Sequence, residues 1–148
     1  TVIGWRSLRD ESKADLNSSD LFHHDSRRFE VATSCVPLMA GLRSSLQLLD
    51  QTGSAQQRWE RIRTLSGMLW QALQGLERVT PLLELPPASG LVSIQIIGDV
   101  PHIEHVKQLG AQGLWIRDLA DPSCLRACTH ITTTEDDINA LVAAISAL

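Results

Sequence analysis

The sequence carries no block of basic residues and no Lys/Arg stripe interleaved with aromatics. Nucleic-acid binders leave that footprint, so no nucleic acid is expected as a partner. No apolar run approaches the ~20 residues that span a bilayer, and the start has no signal-peptide layout. No membrane association is expected, and the expected location is cytoplasmic. Cysteine is sparse. Cys35, Cys124 and Cys128 are odd in number and fit no disulfide framework, which suits a reduced compartment. Lysine is sparser still, with only Lys13 and Lys107.

A metal site is not expected either. Cys124, Cys128 and His130 would share one extended strand. At ~3.3 Å per residue, Cys124 and Cys128 would stand about 13 Å apart. A single zinc needs its ligand atoms within about 2.3 Å of itself. His23-His24 reads as a solvated pair in a loop.

What is present can build a core. Hydrophobic residues make up 43% of 148, and the net charge is −4. That length suits one domain, or one domain with a fragment of another. The opening, TVIGWRSLRD, has no initiator Met and starts as if mid-strand, so a piece of a longer chain is expected. Residues 9–28 are polar, with Leu16, Leu21 and Phe22 as the apolar exceptions, and read as a long loop.

Two helices follow. Leu38, Leu42, Leu46 and Leu49 form a stripe over Val36–Gln51, with Thr33 or Ser34 as the cap and Thr52-Gly53 as the stop. Ser54 and Gln57 have capping-box spacing and open a second helix. Its expected buried face is Trp59, Ile62, Leu65, Leu69, Leu73 and Leu76, with Trp59 and Trp70 as packing residues. Val79–Leu85 and Leu91–Ile97 read as strands. Pro101–Leu109 reads as a short helix with Ile103, Val106 and Leu109 inward. Thr134 and Asp137 open a final helix with an apolar face of Ile138, Leu141, Val142 and Ile145.

Between those last two helices lies LWIRDLADPSCLRACTH, residues 114–130. Leu114–Ile116 reads as a buried strand. Leu125–Ile131 reads as another, with Leu125, Ala127, Thr129 and Ile131 alternating against Cys124, Arg126, Cys128 and His130. A turn at Asp121-Pro122-Ser123 would bring Arg117 and Arg126 to one end of the sheet. Arginine suits two-bond recognition of a carboxylate. The other reading is two surface arginines paired with Asp118, Asp121 or Glu135. The element order predicts an α+β fold, a small mixed sheet covered on one face by helices. Arg126 would point away from those helices.

Several stretches resemble a known family. RRFEVATSCVPLMAGL, SGLVSIQI and GLWIRDLADPSCLRACTHITTTEDDINAL resemble the C-terminal part of class V aminotransferase-fold enzymes. These use pyridoxal phosphate (PLP) and include the cysteine desulfurases. GWRS (4–7), RFEVATS (28–34) and the paired arginines are most like its L-cysteine/L-cystine C–S lyases. The resemblance implies a tail of the large PLP-binding domain over residues 1–32 and the small domain over 33–148. It implies a homodimer whose missing large domain holds the cofactor. Arg126 would bind the substrate α-carboxylate and Arg117 the second carboxylate of cystine. Thr33 would reach the PLP phosphate of the partner subunit, and Trp5 would lie near the substrate.

In the family PLP is held on a lysine in a His-Lys segment. Neither Lys13 nor Lys107 has that context, so the cofactor lysine is expected upstream of Thr1. This chain alone would then hold no catalytic residue and be inactive. The implied reaction is β-elimination to pyruvate, ammonia and a persulfide, serving sulfur mobilisation and iron–sulfur cluster assembly. Desulfurases carry a nucleophilic cysteine on a longer loop. Here eight residues separate Arg117 from Arg126, and Cys124 reads as structural. The rival readings are a desulfurase with Cys124 as sulfur acceptor, another class V aminotransferase, or a non-catalytic dimerisation or binding module.

Overall fold

The computed structural model describes residues 4–9 and 21–148. Val2, Ile3, Lys13 and most of the expected polar loop lie outside the described residues. The chain divides into two compact units, Thr1–Gln51 and Thr52–Leu148.

In the first unit, short 3-10 turns cover Trp5–Ser7 and Ser26–Phe29. Buried Ser7 ties the GWRS and RFEVATS segments together: its Oγ accepts from Gly4 N and donates to the Glu30 carbonyl at 3.0 Å. Helix α1 spans Val36–Gln51, as its leucine period predicts. Thr33 and Ser34 do not cap it. The helix begins at Val36, which puts Cys35 at the cap position, and the Cys35 carbonyl accepts from Leu38 N and Met39 N. The leucine stripe is exposed, from 73% at Leu38 to 36% at Leu49, and α1 contains no buried residue.

The second unit holds α2 (Ala55–Gln74), β1 (Val79–Pro81), β2 (Leu91–Ile96), α3 (His102–Gly110), β3 (Arg117–Ala120), β4 (Ser123–Cys128) and α4 (Glu135–Ser146). Gly53, at φ 101°, makes the turn into α2 that an L side chain resists. Both expected capping boxes form, Ser54 with Gln57 and Thr134 with Asp137. The Asp137 carboxylate accepts from Thr134 N and Oγ1, which lowers its pKa from the usual aspartate value.

The fold is α+β, but the sheet is not mixed. Its order is β1-β2-β4-β3, and every pair is antiparallel. Strands β2 and β3, joined through α3, do run the same way, since both oppose β4. They do not pair, because β4 lies between them. A crossover that looks parallel in sequence is thus split by a strand from further along the chain.

One face of the sheet carries the core. Val92, Ile94, Ile96, Leu125 and Ala127 pack in one cluster with Leu65, Leu69 and Leu73 of α2, Leu109 of α3, and Ile138, Leu141 and Ile145 of α4. A fully buried leucine contributes roughly 1.5–3 kcal/mol, so this cluster dominates the unit. Ser93, Gln95, Arg117 and Arg126 lie on the other face.

Several boundaries differ from the sequence reading. The first strand stops at Pro81, one residue before a last bond from Leu82 N to the Ser93 carbonyl; β1 is an edge strand, where proline is tolerated. Leu114–Ile116 is not a strand. The chain is still leaving α3 there, through Leu114 N to the Leu109 carbonyl and Gly113 at φ 81°. Trp115 is consequently exposed. Trp59 lies a turn before the buried part of α2 and is 42% exposed, with the Arg63 guanidinium 4.7 Å above its ring. Ile103 is also exposed, while His105 takes the inward position on α3.

Candidate functional site

The site is built on the β3–β4 hairpin. Ala120 pairs with Ser123, leaving Asp121-Pro122 as a two-residue turn with a cis peptide bond between them. The turn is tighter than the sequence suggests. It fixes the register, and the register places Arg117 directly opposite Arg126. Opposed residues on antiparallel strands point to the same face. Both arginines therefore leave the face opposite the helices, as expected for Arg126.

Arg126 is half-buried, and its Nε donates to Ser93 Oγ at 3.4 Å. Arg117 is exposed and makes no hydrogen bond or ion pair among the described residues. Neither arginine pairs with Asp118, Asp121 or Glu135. The surface ion-pair reading thus fails. Arg126 also lines a concavity of about 360 Å³ with Leu82, Leu83, Pro87, Ala88, Ser89, Leu91 and Ser93. Mostly apolar walls beside one guanidinium suit a small ligand bearing a carboxylate.

Trp5 and Thr33 belong to the first unit. Trp5 is 53% exposed, with the Arg6 guanidinium 5.4 Å from its ring centre, and Thr33 is exposed. The structure therefore brings Arg117 and Arg126 together in one unit and places Trp5 and Thr33 in the other. Cys124 has no exposed surface, whereas Cys35 and Cys128 are exposed free thiols. Lys107 projects from α3 with its ammonium 2.7 Å from Glu104. Held in that exposed ion pair on the helix surface, it does not fit the role of a PLP lysine.

Two polar residues escape the sequence reading. Ser93 is an ordinary strand serine until the register sets it opposite Arg126. His105 is 2% exposed, and its Nδ1 has no hydrogen-bond partner. Burial, followed by the charges of His102 and Arg78, pushes its pKa below the usual histidine value. Its spacing to Leu109, four residues on, was the available signal.

No protein-family model and no curated protein matches the chain. Solved structures do. The fold is that of the small C-terminal domain of cysteine desulfurase-like enzymes, the class the sequence resembles. In particular, the chain is similar to the cystine C–S lyase C-DES, at 37% identity and TM-score 0.82 over 99% of this chain and 38% of that one. That structure holds the reaction product cysteine persulfide. A C-DES mutant with glycine covalently linked to its PLP cofactor matches at the same identity and TM-score, over 99% of this chain and 37% of that one. The cysteine desulfurase CsdA from Escherichia coli shares the fold at 23% identity and TM-score 0.73, over 97% of this chain and 37% of that one. The chain spans under two fifths of the length of these proteins.

Proposed function

We propose that these residues form the small domain of a PLP-dependent L-cysteine/L-cystine C–S lyase. The observation that carries the reading is the opposed pair Arg117 and Arg126, paired with no carboxylate among the described residues. Like charges directly opposite each other destabilise a sheet, and a bound anion offsets that. In this reading Arg126, half-buried and lining the concavity, holds the substrate α-carboxylate. Arg117, exposed one strand over, holds the distal carboxylate of cystine.

PLP supplies the electron sink for cleavage next to the α-carbon. The residues of this chain fit substrate binding and not the covalent attachment of PLP, which falls to a lysine other than Lys13 or Lys107. The share of Arg117 and Arg126 is orientation: clamping both ends of a dicarboxylate fixes its α-carbon before reaction. The products are pyruvate, ammonia and cysteine persulfide, the last supplying sulfur for uses such as iron–sulfur cluster assembly. Residues 1–32 belong to the large-domain tail and 33–148 to the small domain of a cytoplasmic homodimer, in which Thr33 reaches the partner's PLP phosphate and Trp5 lies near the substrate. The burial of Cys124 supports a lyase over a desulfurase, because a sulfur acceptor must meet its donor.

The test is the full-length protein supplied with PLP and L-cystine, with pyruvate and persulfide measured. Stoichiometric release of both is expected. With L-cysteine supplied in a parallel assay, transfer of its sulfur to a protein cysteine with release of alanine in place of pyruvate would overturn the lyase reading.

A further inference from the structure

We propose that Ser93 is a positioning residue for Arg126, holding its guanidinium so that the Nη1–Nη2 end is the one presented to a carboxylate. This rests on the carboxylate-binding role of Arg126 and goes beyond it by assigning the mode of binding and the residue that sets it.

Ser93 and Arg126 are register partners across β2 and β4, so their side chains leave the same face at the same step. Arg126 Nε donates to Ser93 Oγ at 3.4 Å, its one hydrogen bond to a side chain among the described residues. A guanidinium offers a carboxylate two planar forks, Nε with one Nη or the two Nη groups together. With Nε–H directed at Ser93, the first fork loses a prong and the second stays whole. Ser93 is a fixed acceptor, because β2 is paired on both sides and the Ser93 carbonyl accepts from Leu82 N at 2.9 Å. Arg117 has no such anchor among the described residues. One fork is set before a ligand arrives, and the other adjusts to it. Both Ser93 and Arg126 line the concavity walled by Leu82, Leu83, Pro87 and Leu91. An end-on carboxylate there would leave its short apolar or sulfur-bearing body against that wall.

The test follows the arginine Nε–H signals of the 148-residue chain by nitrogen-15 NMR, with Ser93→Ala and Ser93→Thr variants and acetate as the carboxylate probe. Without ligand, Arg126 Nε–H should exchange with water roughly five- to tenfold more slowly than that of Arg117, as expected for one charge-assisted hydrogen bond at long distance. Ser93→Ala should remove the difference and Ser93→Thr should restore it. Equal exchange in the parent chain and Ser93→Ala would overturn the positioning role. Acetate should then shift the Arg126 Nη signals and leave Nε in place. A shift of Nε as large as that of Nη would overturn the end-on mode. No response from either arginine would count against the carboxylate-binding reading itself, and the ligand-free exchange rates would still decide the role of Ser93.

Discussion

Arg117 and Arg126 are direct partners across the β3–β4 ladder. In such a pair the Cβ atoms lie about 4.5–5.5 Å apart, close enough for one dicarboxylate to touch both guanidinium groups. They differ in setting, since Arg126 is half-buried against Ser93 and Arg117 is exposed, with no partner among the described residues.

Their removal should therefore have different effects in the full-length protein. Arg126→Ala is expected to cripple turnover of cystine and cysteine alike, because both carry an α-carboxylate. Arg117→Ala should lower kcat/KM for cystine by about ten- to a hundredfold, the equivalent of one charged hydrogen-bonded contact. Cysteine, which has no second carboxylate, should be nearly unaffected. Arg117→Lys should recover part of the loss, keeping charge without the fork. Equal losses on both substrates for Arg117→Ala would make it a structural residue.

Cys124 is sealed and the other two thiols are open. A thiol reagent such as DTNB should modify Cys35 and Cys128 quickly in the native chain and reach Cys124 only on unfolding. In the full-length protein, Cys124→Ala should keep pyruvate production. Abolished turnover in a folded variant would revive a role for this thiol in sulfur transfer.

Lys107 is held by Glu104 on the solvent side of α3. Incubation of the 148-residue chain with PLP, followed by borohydride reduction and digestion, should give no stoichiometric pyridoxyl adduct at Lys107. A one-to-one adduct there would mean that the chain carries its own cofactor lysine.

His105 should make the Thr52–Leu148 unit sensitive to acid. Its pKa is lowered in the folded state, chiefly by burial, so the unfolded chain takes up the proton first as pH falls. The stability it contributes is full above the unfolded value of about 6.5 and is lost as pH falls from there toward the folded pKa. Urea midpoints at pH 7.5 and pH 5.5 should fall on acidification more in the parent chain than in His105→Gln. Parallel decreases would exclude His105 as the source.

Local chemistry was legible in the sequence. The caps at Ser54 and Thr134 form because the residues that make them lie three apart, and the bounds of α1 follow from one leucine period. The paired arginines were legible as neighbours because a short turn joins their strands. Non-local choices were hidden. The insertion of β4 between β2 and β3 made an expected mixed sheet antiparallel. The register that joins Ser93 to Arg126 spans two strands and a helix, so no short window contains it. Trp59 and Ile103 match a helical period, yet each lies beyond the part of its helix that the sheet and neighbouring helices cover.

The strand order also sets a schedule for the ribosome. Strand β4 fills the place beside β2, yet it ends about thirty residues after β2 does. At roughly 5–20 residues per second, the nascent chain holds β2 with one edge bare for about two to six seconds. Val92 and Ile94 lie along that edge, an apolar strand open to pairing with another chain. Synthesis of Leu125 and Ala127 ends the exposure, so the same strand that presents Arg126 also closes the sheet.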